Sequence, residues 1–154
     1  MLIDTKVAIL ASNMEDGLQN PPLFTACMQG DLEAVQLLLL SPDYITDVNE
    51  DRGYFGIGRY ACSEQIVPPL WAAAVQGHLE IVRFLIESGA NVNAITESGS
   101  TVLRSLCQYG NESNELMAII KFLVENGADV NLPGWGGFTC LIDCSLIIKS
   151  WKLE

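Results

Sequence analysis

The chain has 154 residues, of which 49% are hydrophobic, and this length fits one domain with a packed core. Nineteen acidic and eight basic side chains give a formal net charge of −11 at pH 7, which disfavours nucleic acids and anionic membranes because both are polyanions. The most apolar stretches, such as 34–40 and 116–124, are far shorter than the roughly 18 residues that a membrane-spanning helix needs. We therefore expect a protein or peptide partner that is basic or neutral, no nucleic acid and no membrane.

The first residues and the cysteines bear on the cellular compartment. Segment 1–6 carries a lysine and an aspartate, whereas a secretory signal would have a basic lead and a longer apolar run. Five cysteines are an odd number, and the chain lacks the short framework of a disulfide-rich secreted protein, so we expect reduced thiols. These features predict a cytoplasmic or nuclear protein.

Residues 1–20 form a lead that does not take part in the repeated pattern that follows. Their apolar residues fall at helical spacing, which predicts a capping helix over the first repeat. These residues are Ile3, Val7, Leu10, Ala11 and Met14.

After this lead the chain repeats a pattern. Segments 22–35 and 69–82 share a proline and a leucine, then an aromatic residue, then Gln-Gly and Leu-Glu at matching positions. A looser copy covers 102–110, and its leucine, Leu103, lies 33 positions after Leu70. A fixed period of this length predicts stacked supersecondary units that share one continuous core.

The first repeat covers 21–49, with its second helix at 31–40, because Pro42 stops that helix by lacking a donor N–H. A finger, meaning the turn segment that joins one repeat to the next, follows at 50–67 and is about 11 residues longer than the corresponding segment of the next repeat. Its glycines lack the Gly-Lys-Ser/Thr ending of a phosphate loop. We interpret them as residues that relax a long finger.

The second repeat, 68–99, is the most regular, and its second helix has the amphipathic pattern that a stacked helix needs. The third repeat, 100–138, is five residues longer than the period because of a polar insertion at 111–115 between its helices. Residues 139–154 open a fourth unit without completing it. They are either a partial repeat of a longer array or an atypical cap.

Three motifs carry a resemblance to a known family: Gly-His-Leu-Glu-Ile-Val at 77–82, Gly-Ala-Asn-Val-Asn at 89–93 and Gly-Ala-Asp-Val-Asn at 127–131. Together with the period, they resemble the ankyrin repeat. The resemblance implies an all-α solenoid of helix-turn-helix units with finger-like turns, comprising about three full repeats and a partial fourth. It also implies non-catalytic binding of a protein or peptide on a concave groove of first helices and fingers, without a cofactor.

The family pattern also implies which residues contact the partner, and several aromatic residues fall on segments along the same groove. Trp71 is either a groove anchor or a core residue. Asn93 and Asn131 resemble sites of asparaginyl hydroxylation, and the alternative is that they bond across the finger to hold consecutive hairpins. The predicted partner-binding residues are Met28, Gln29, Val75, Gln76, Glu97, Ser98, Ser100, Gln108, Tyr109, Trp135 and Phe138.

A second resemblance concerns segments 67–73, 103–104 and 138–141. They are similar to the amino-terminal ankyrin block of the Fem family, whose members are substrate receptors of cullin-RING ubiquitin ligases and capture carboxy-terminal degrons. Tyr109 stands where that family has an acidic residue in the first helix. The alternative function is therefore degron recognition within a ubiquitin ligase.

Catalytic and metal chemistry have little support in the sequence. Nucleophilic catalysis needs a base beside the nucleophile, and the only histidine, His78, occupies a position that is structural in the ankyrin pattern. Cys140 and Cys144 lie four residues apart and would either help to hold a metal or pack as small buried residues. We predict no enzyme and no metal site.

Overall fold

A computed structural model describes residues 20–40, 47–50, 53–56, 64–109, 113–133, 137 and 139. For residues 54–56, 64, 65, 108 and 109 it describes the backbone alone. The predicted capping segment and the predicted fourth unit lie outside the described residues, apart from Asn20 and Thr139.

The described residues contain six helices arranged as three helical hairpins. The first helices of the hairpins contact one another in chain order, and so do the second helices, so that the hairpins stack in two layers. The predicted all-α repeat solenoid is thereby confirmed. The helices are α1 (Pro22–Gln29), α2 (Leu32–Leu40), α3 (Pro69–Val75), α4 (Leu79–Glu87), α5 (Val102–Tyr109) and α6 (Asn114–Glu125).

The helices begin and end at residues whose local chemistry accounts for the boundary. Helices α1 and α3 start on Pro22 and Pro69, where the missing N–H of proline costs no helical hydrogen bond. Gly30, with φ +77°, ends α1 in the left-handed conformation that favours glycine. Helix α6 is capped instead by Ser113, whose Oγ accepts a hydrogen bond from the Leu116 N–H at 3.2 Å.

The core lies between the layers and between neighbouring hairpins. Leu85 and Leu123 are completely buried, as the register of the repeats predicts. Trp71 is only 2% exposed, so it is a core residue and not a groove anchor. On the outer layer, the Arg83 guanidinium lies 4.8 Å from the centre of the Phe122 ring, a cation–π contact between the second and third hairpins.

The long finger after the first repeat contains a β-hairpin that sequence analysis did not predict. Strands β1 (Gly53–Gly56) and β2 (Glu64–Val67) pair antiparallel, with Gly53 opposite Val67. Gly53 lies so close to the buried Phe24 ring that any side chain there would overlap it. The finger is thus anchored directly on α1.

Strand β2 also contacts the second finger, which is the segment 88–101 between α4 and α5. The Glu97 N–H donates to the Ile66 carbonyl at 3.0 Å, and the Ile66 N–H donates to Glu97 Oε2 at 3.4 Å. Because the N–H and the carbonyl of Ile66 both bond to Glu97, β2 lies between β1 and the second finger. The hairpin of the first finger is therefore hydrogen-bonded to the second finger.

Two cysteines occupy equivalent positions in α1 and α5. Cys27 is a free thiol without exposed surface, and burial raises its pKa from 9.0 to about 12. Cys107 is disulfide-bonded, so the expectation of reduced thiols is wrong for this residue. Within the part of the chain that the structure describes, no helix is long and apolar enough to cross a bilayer.

Candidate protein-binding surface

Four of the predicted contact residues lie together at the carboxyl ends of α1 and α3. Met28 and Val75 are half-buried, whereas Gln29 and Gln76 are exposed. Gln76 Nε2 lies 4.0 Å from Met28 Sδ, as a weak hydrogen bond between the first and second hairpins. We call Met28, Gln29, Val75 and Gln76 the helix-end patch.

Three further predicted contacts belong to the second finger and differ in exposure. Glu97 is exposed and tied to β2, as described above. Ser98 is half-buried, with its Oγ 2.9 Å from Thr96 Oγ1. Ser100 is buried and accepts a hydrogen bond from Arg104 Nη1 at 3.1 Å, so it offers little surface to a partner.

The remaining predicted contacts are described less completely. Gln108 and Tyr109 form the last turn of α5, and their side chains are not described. Trp135 and Phe138 lie outside the described residues. Their contribution to binding stays a prediction.

Asparagine side chains link consecutive fingers by a repeated pair of hydrogen bonds. Asn93 Nδ2 donates to the Gly127 carbonyl at 3.1 Å, and Asn93 Oδ1 accepts from the Asp129 N–H at 2.8 Å. In the same way, Asn49 Nδ2 donates to the Gly89 carbonyl at 3.3 Å, and Asn49 Oδ1 accepts from the Asn91 N–H at 2.8 Å. The predicted role of Asn93 in bonding across the finger is therefore seen in the structure.

These asparagine bonds occur at two successive junctions and link three consecutive units. Comparison of the sequence with known families agrees with this repeated arrangement. The family model of ankyrin repeats matches residues 2–95 and 23–134, with three copies. The chain belongs to the ankyrin-repeat family. Comparison with curated proteins gave no match. Ankyrin repeats are in general non-catalytic modules of protein–protein interaction.

The third ankyrin repeat departs from regular spacing, and its insertion lines a cleft. This insertion is the polar segment 111–115 that the sequence places between the two helices of the repeat. The structure places its end against the turn between α3 and α4, around a cleft of about 380 Å³. The cleft is lined by Val75, Gln76, Gly77, Ser113, Glu115 and Leu116.

The charge of the described ankyrin surface is strongly negative. Among the side chains that the structure describes, ten are acidic and three are basic. Arg83 and Lys121 each lie 3.9 Å from a glutamate on their own helix, and Arg104 is buried. The described surface therefore carries a large excess of negative charge.

His78 has the packing of a structural residue in this ankyrin chain. It precedes α4, and its ring lies against the turn of the preceding hairpin: a side-chain carbon at Gly30 would be 2.6 Å from His78 Cε1. Within the described ranges, no three His, Cys, Asp or Glu side chains are grouped so as to hold a metal. The two predicted alternatives for Cys140 and Cys144 concern residues outside those ranges.

Proposed function

We propose that this ankyrin chain binds a protein or peptide partner on the row of first helices and fingers, with the helix-end patch as a contact area. The observation that carries the proposal is the contact between the exposed Gln76 and the half-buried Met28, which joins two units into one surface. Because stacked hairpins fix this surface before binding, the receptor loses little conformational entropy when a partner docks.

The charge supports a basic or neutral partner. The net charge of −11 and the excess of acidic over basic described side chains create a negative field. Such a field accelerates encounter with basic partners and weakens as salt is added. Aromatic anchors such as Tyr109 and Trp135 would add the desolvated contacts that slow dissociation.

The proposal is tested with peptides selected from a random displayed library against the chain. Gln76→Ala should weaken the selected peptide by at least about fivefold, which corresponds to roughly 1 kcal/mol. Gln36→Ala, on the outer-layer helix α2, is the matched control because it removes the same groups and leaves the charge unchanged. Equal affinities for the two variants would contradict binding on the first-helix row.

A role as the degron-binding part of a cullin-RING ubiquitin ligase rests on the Fem-type resemblance alone, and no described residue favours it. The localisation likewise stays a prediction. Co-purification with and without a cullin separates the ligase role from general protein binding, since only a ligase receptor complex retains the cullin.

A further inference from the structure

The cleft between the second and third hairpins combines apolar walls with unpaired acceptors. Val75 is half-buried and Leu116 is 7% exposed, so each presents some apolar surface to the cleft. Glu115 is exposed and joins no ion pair in the described residues. A ligand in the cleft would therefore contact hydrocarbon on one part of its surface and a carboxylate on another.

The other polar atoms of the cleft also favour a ligand that donates hydrogen bonds. Gln76 Nε2 is already beside Met28 Sδ, which leaves the Oε1 atom of this amide as an acceptor. Ser113 Oγ caps α6 by accepting from the Leu116 N–H, and its hydroxyl oxygen keeps a second lone pair. Acceptors thus predominate around the cleft.

An anion is a poor occupant of this cleft although it lies at the start of a helix. Ser113 Oγ already accepts the Leu116 N–H at the positive end of α6, and the Glu115 carboxylate stands in the first turn. An incoming carboxylate or phosphate would meet the Glu115 carboxylate and a chain of net charge −11. A cationic group meets attraction from both.

We propose that this cleft receives a lysine or arginine side chain of the bound partner. The aliphatic stem of such a side chain would lie against Val75 and Leu116 while its charged end reaches Glu115, the arrangement by which long basic side chains cover apolar surface. This inference rests on the proposed function, because it gives one subsite of the same binding surface. It also assigns a role to the insertion in the third repeat.

The test uses tripeptides of alanine, a central residue and alanine, acetylated and amidated at their ends. Arginine and lysine are the basic central residues, and citrulline and acetyl-lysine are their uncharged counterparts. In ¹⁵N-resolved NMR titrations of the full chain, we expect the basic peptides to shift amides at 75–77 and 113–116 and the uncharged peptides to bind more weakly. The basic peptide with the lower Kd shows whether the cleft prefers arginine or lysine.

Glu115→Gln should raise the Kd of the basic peptide by about two- to fivefold, the range of an exposed ion pair. Glu87→Gln removes the same charge at the end of α4, away from the cleft lining, and should leave the Kd nearly unchanged. The inference would be overturned if the two variants changed the Kd equally, or if the amide shifts were spread over all acidic residues. It would also be overturned if the citrulline peptide bound as tightly as the arginine peptide.

The outcome separates this subsite from the proposed function. If library-selected peptides lose affinity with Gln76→Ala but bind Glu115→Gln as tightly as the parent, the cationic subsite is wrong and binding on the first-helix row stands. If neither substitution changes their affinity, the proposed function fails as well.

Discussion

The two junctions between successive repeats share one framework and differ in what has been inserted into it. Asn49 and Asn93 make the same pair of bonds to the following finger, at distances within 0.2 Å of each other (3.3 and 3.1 Å; 2.8 and 2.8 Å). The first junction adds a β-hairpin at the finger end, whereas the second adds residues 113–115 of the insertion at the opposite end of the helices. Side-chain amides and buried leucines thus fix the stack, and the insertions give each junction its own surface.

The largest expected effect concerns the shared framework. Leu85→Ala and Leu123→Ala should each lower the free energy of unfolding by about 2–5 kcal/mol, because each leaves a cavity between layers. Met117→Ala is the control, since Met117 is 42% exposed on α6 and should cost about 0.5 kcal/mol or less. Urea denaturation measures all three. Parent-like midpoints for both leucine variants would show that these residues do not hold the junctions.

Gly53→Ala tests the feature that belongs to the first junction alone. The new methyl group would overlap the Phe24 ring, and overpacking of this kind costs about 1–3 kcal/mol. Phe24→Leu in the same chain makes room, so the double variant should lose less stability than the two single variants combined. Strictly additive losses in a double-mutant cycle would mean that the hairpin is not anchored on Phe24.

Cys27 gives the first unit a pH dependence. Burial raises the pKa of its thiol from 9.0 to about 12, so above pH 9 the unfolded chain loses the proton while the folded chain keeps it. This contribution to stability is complete below pH 9 and is lost between pH 9 and 12, by about 1.4 kcal/mol at pH 10. Denaturation of the parent and Cys27→Ala at pH 7 and 10 isolates it. A stability difference between the two proteins that is the same at both pH values would refute the assignment.

The asparagine bonds predict a smaller and patterned effect. Asn49→Ala and Asn93→Ala each remove two hydrogen bonds between fingers and should cost about 1 kcal/mol. Asn114→Ala is the control, because Asn114 is exposed in the first turn of α6. It should change the free energy of unfolding by about 0.5 kcal/mol or less in the same denaturation assay. A loss at Asn114 equal to that at Asn93 would contradict the role of the bonds between fingers.

Hydroxylation should depend on how accessible each asparagine side chain is. Both atoms of the Asn93 amide are engaged, whereas Asn131 is exposed, so co-expression with an asparaginyl hydroxylase should add oxygen to Asn131 before Asn93. Mass spectrometry of the two peptides measures the order. Unmodified peptides at both sites would leave only the structural role.

Sequence reasoning succeeded where a feature depends on the repeat itself. The period placed Leu85 in the core, and the ankyrin pattern around Asn93 gave a bond across the finger as one of two predicted roles. It did not predict the hairpin, because β2 depends on contacts with Glu97, which lies 31 positions after Ile66. Nor did it find the burial of Ser100, which depends on the neighbouring Arg104 side chain.

The cleft was also missed, for a physical reason. One wall comes from the end of α3 and the turn after it, where Val75 and Gln76 were predicted contacts, and the other comes from the insertion of the next repeat, which has no sequence signal of binding. A five-residue surplus in an otherwise regular array was the available clue.

Hydrogen exchange with and without a library-selected peptide tests the binding account most directly, because it does not assume a site. We predict slower exchange at 22–29 and 69–76, which cover the first helices of the first two repeats, and at 95–99 in the second finger. Exchange should be unchanged at 79–87 and 114–125 in the outer layer, apart from the first turn of α6 beside the cleft. Protection confined to the outer layer would contradict binding on the first-helix row.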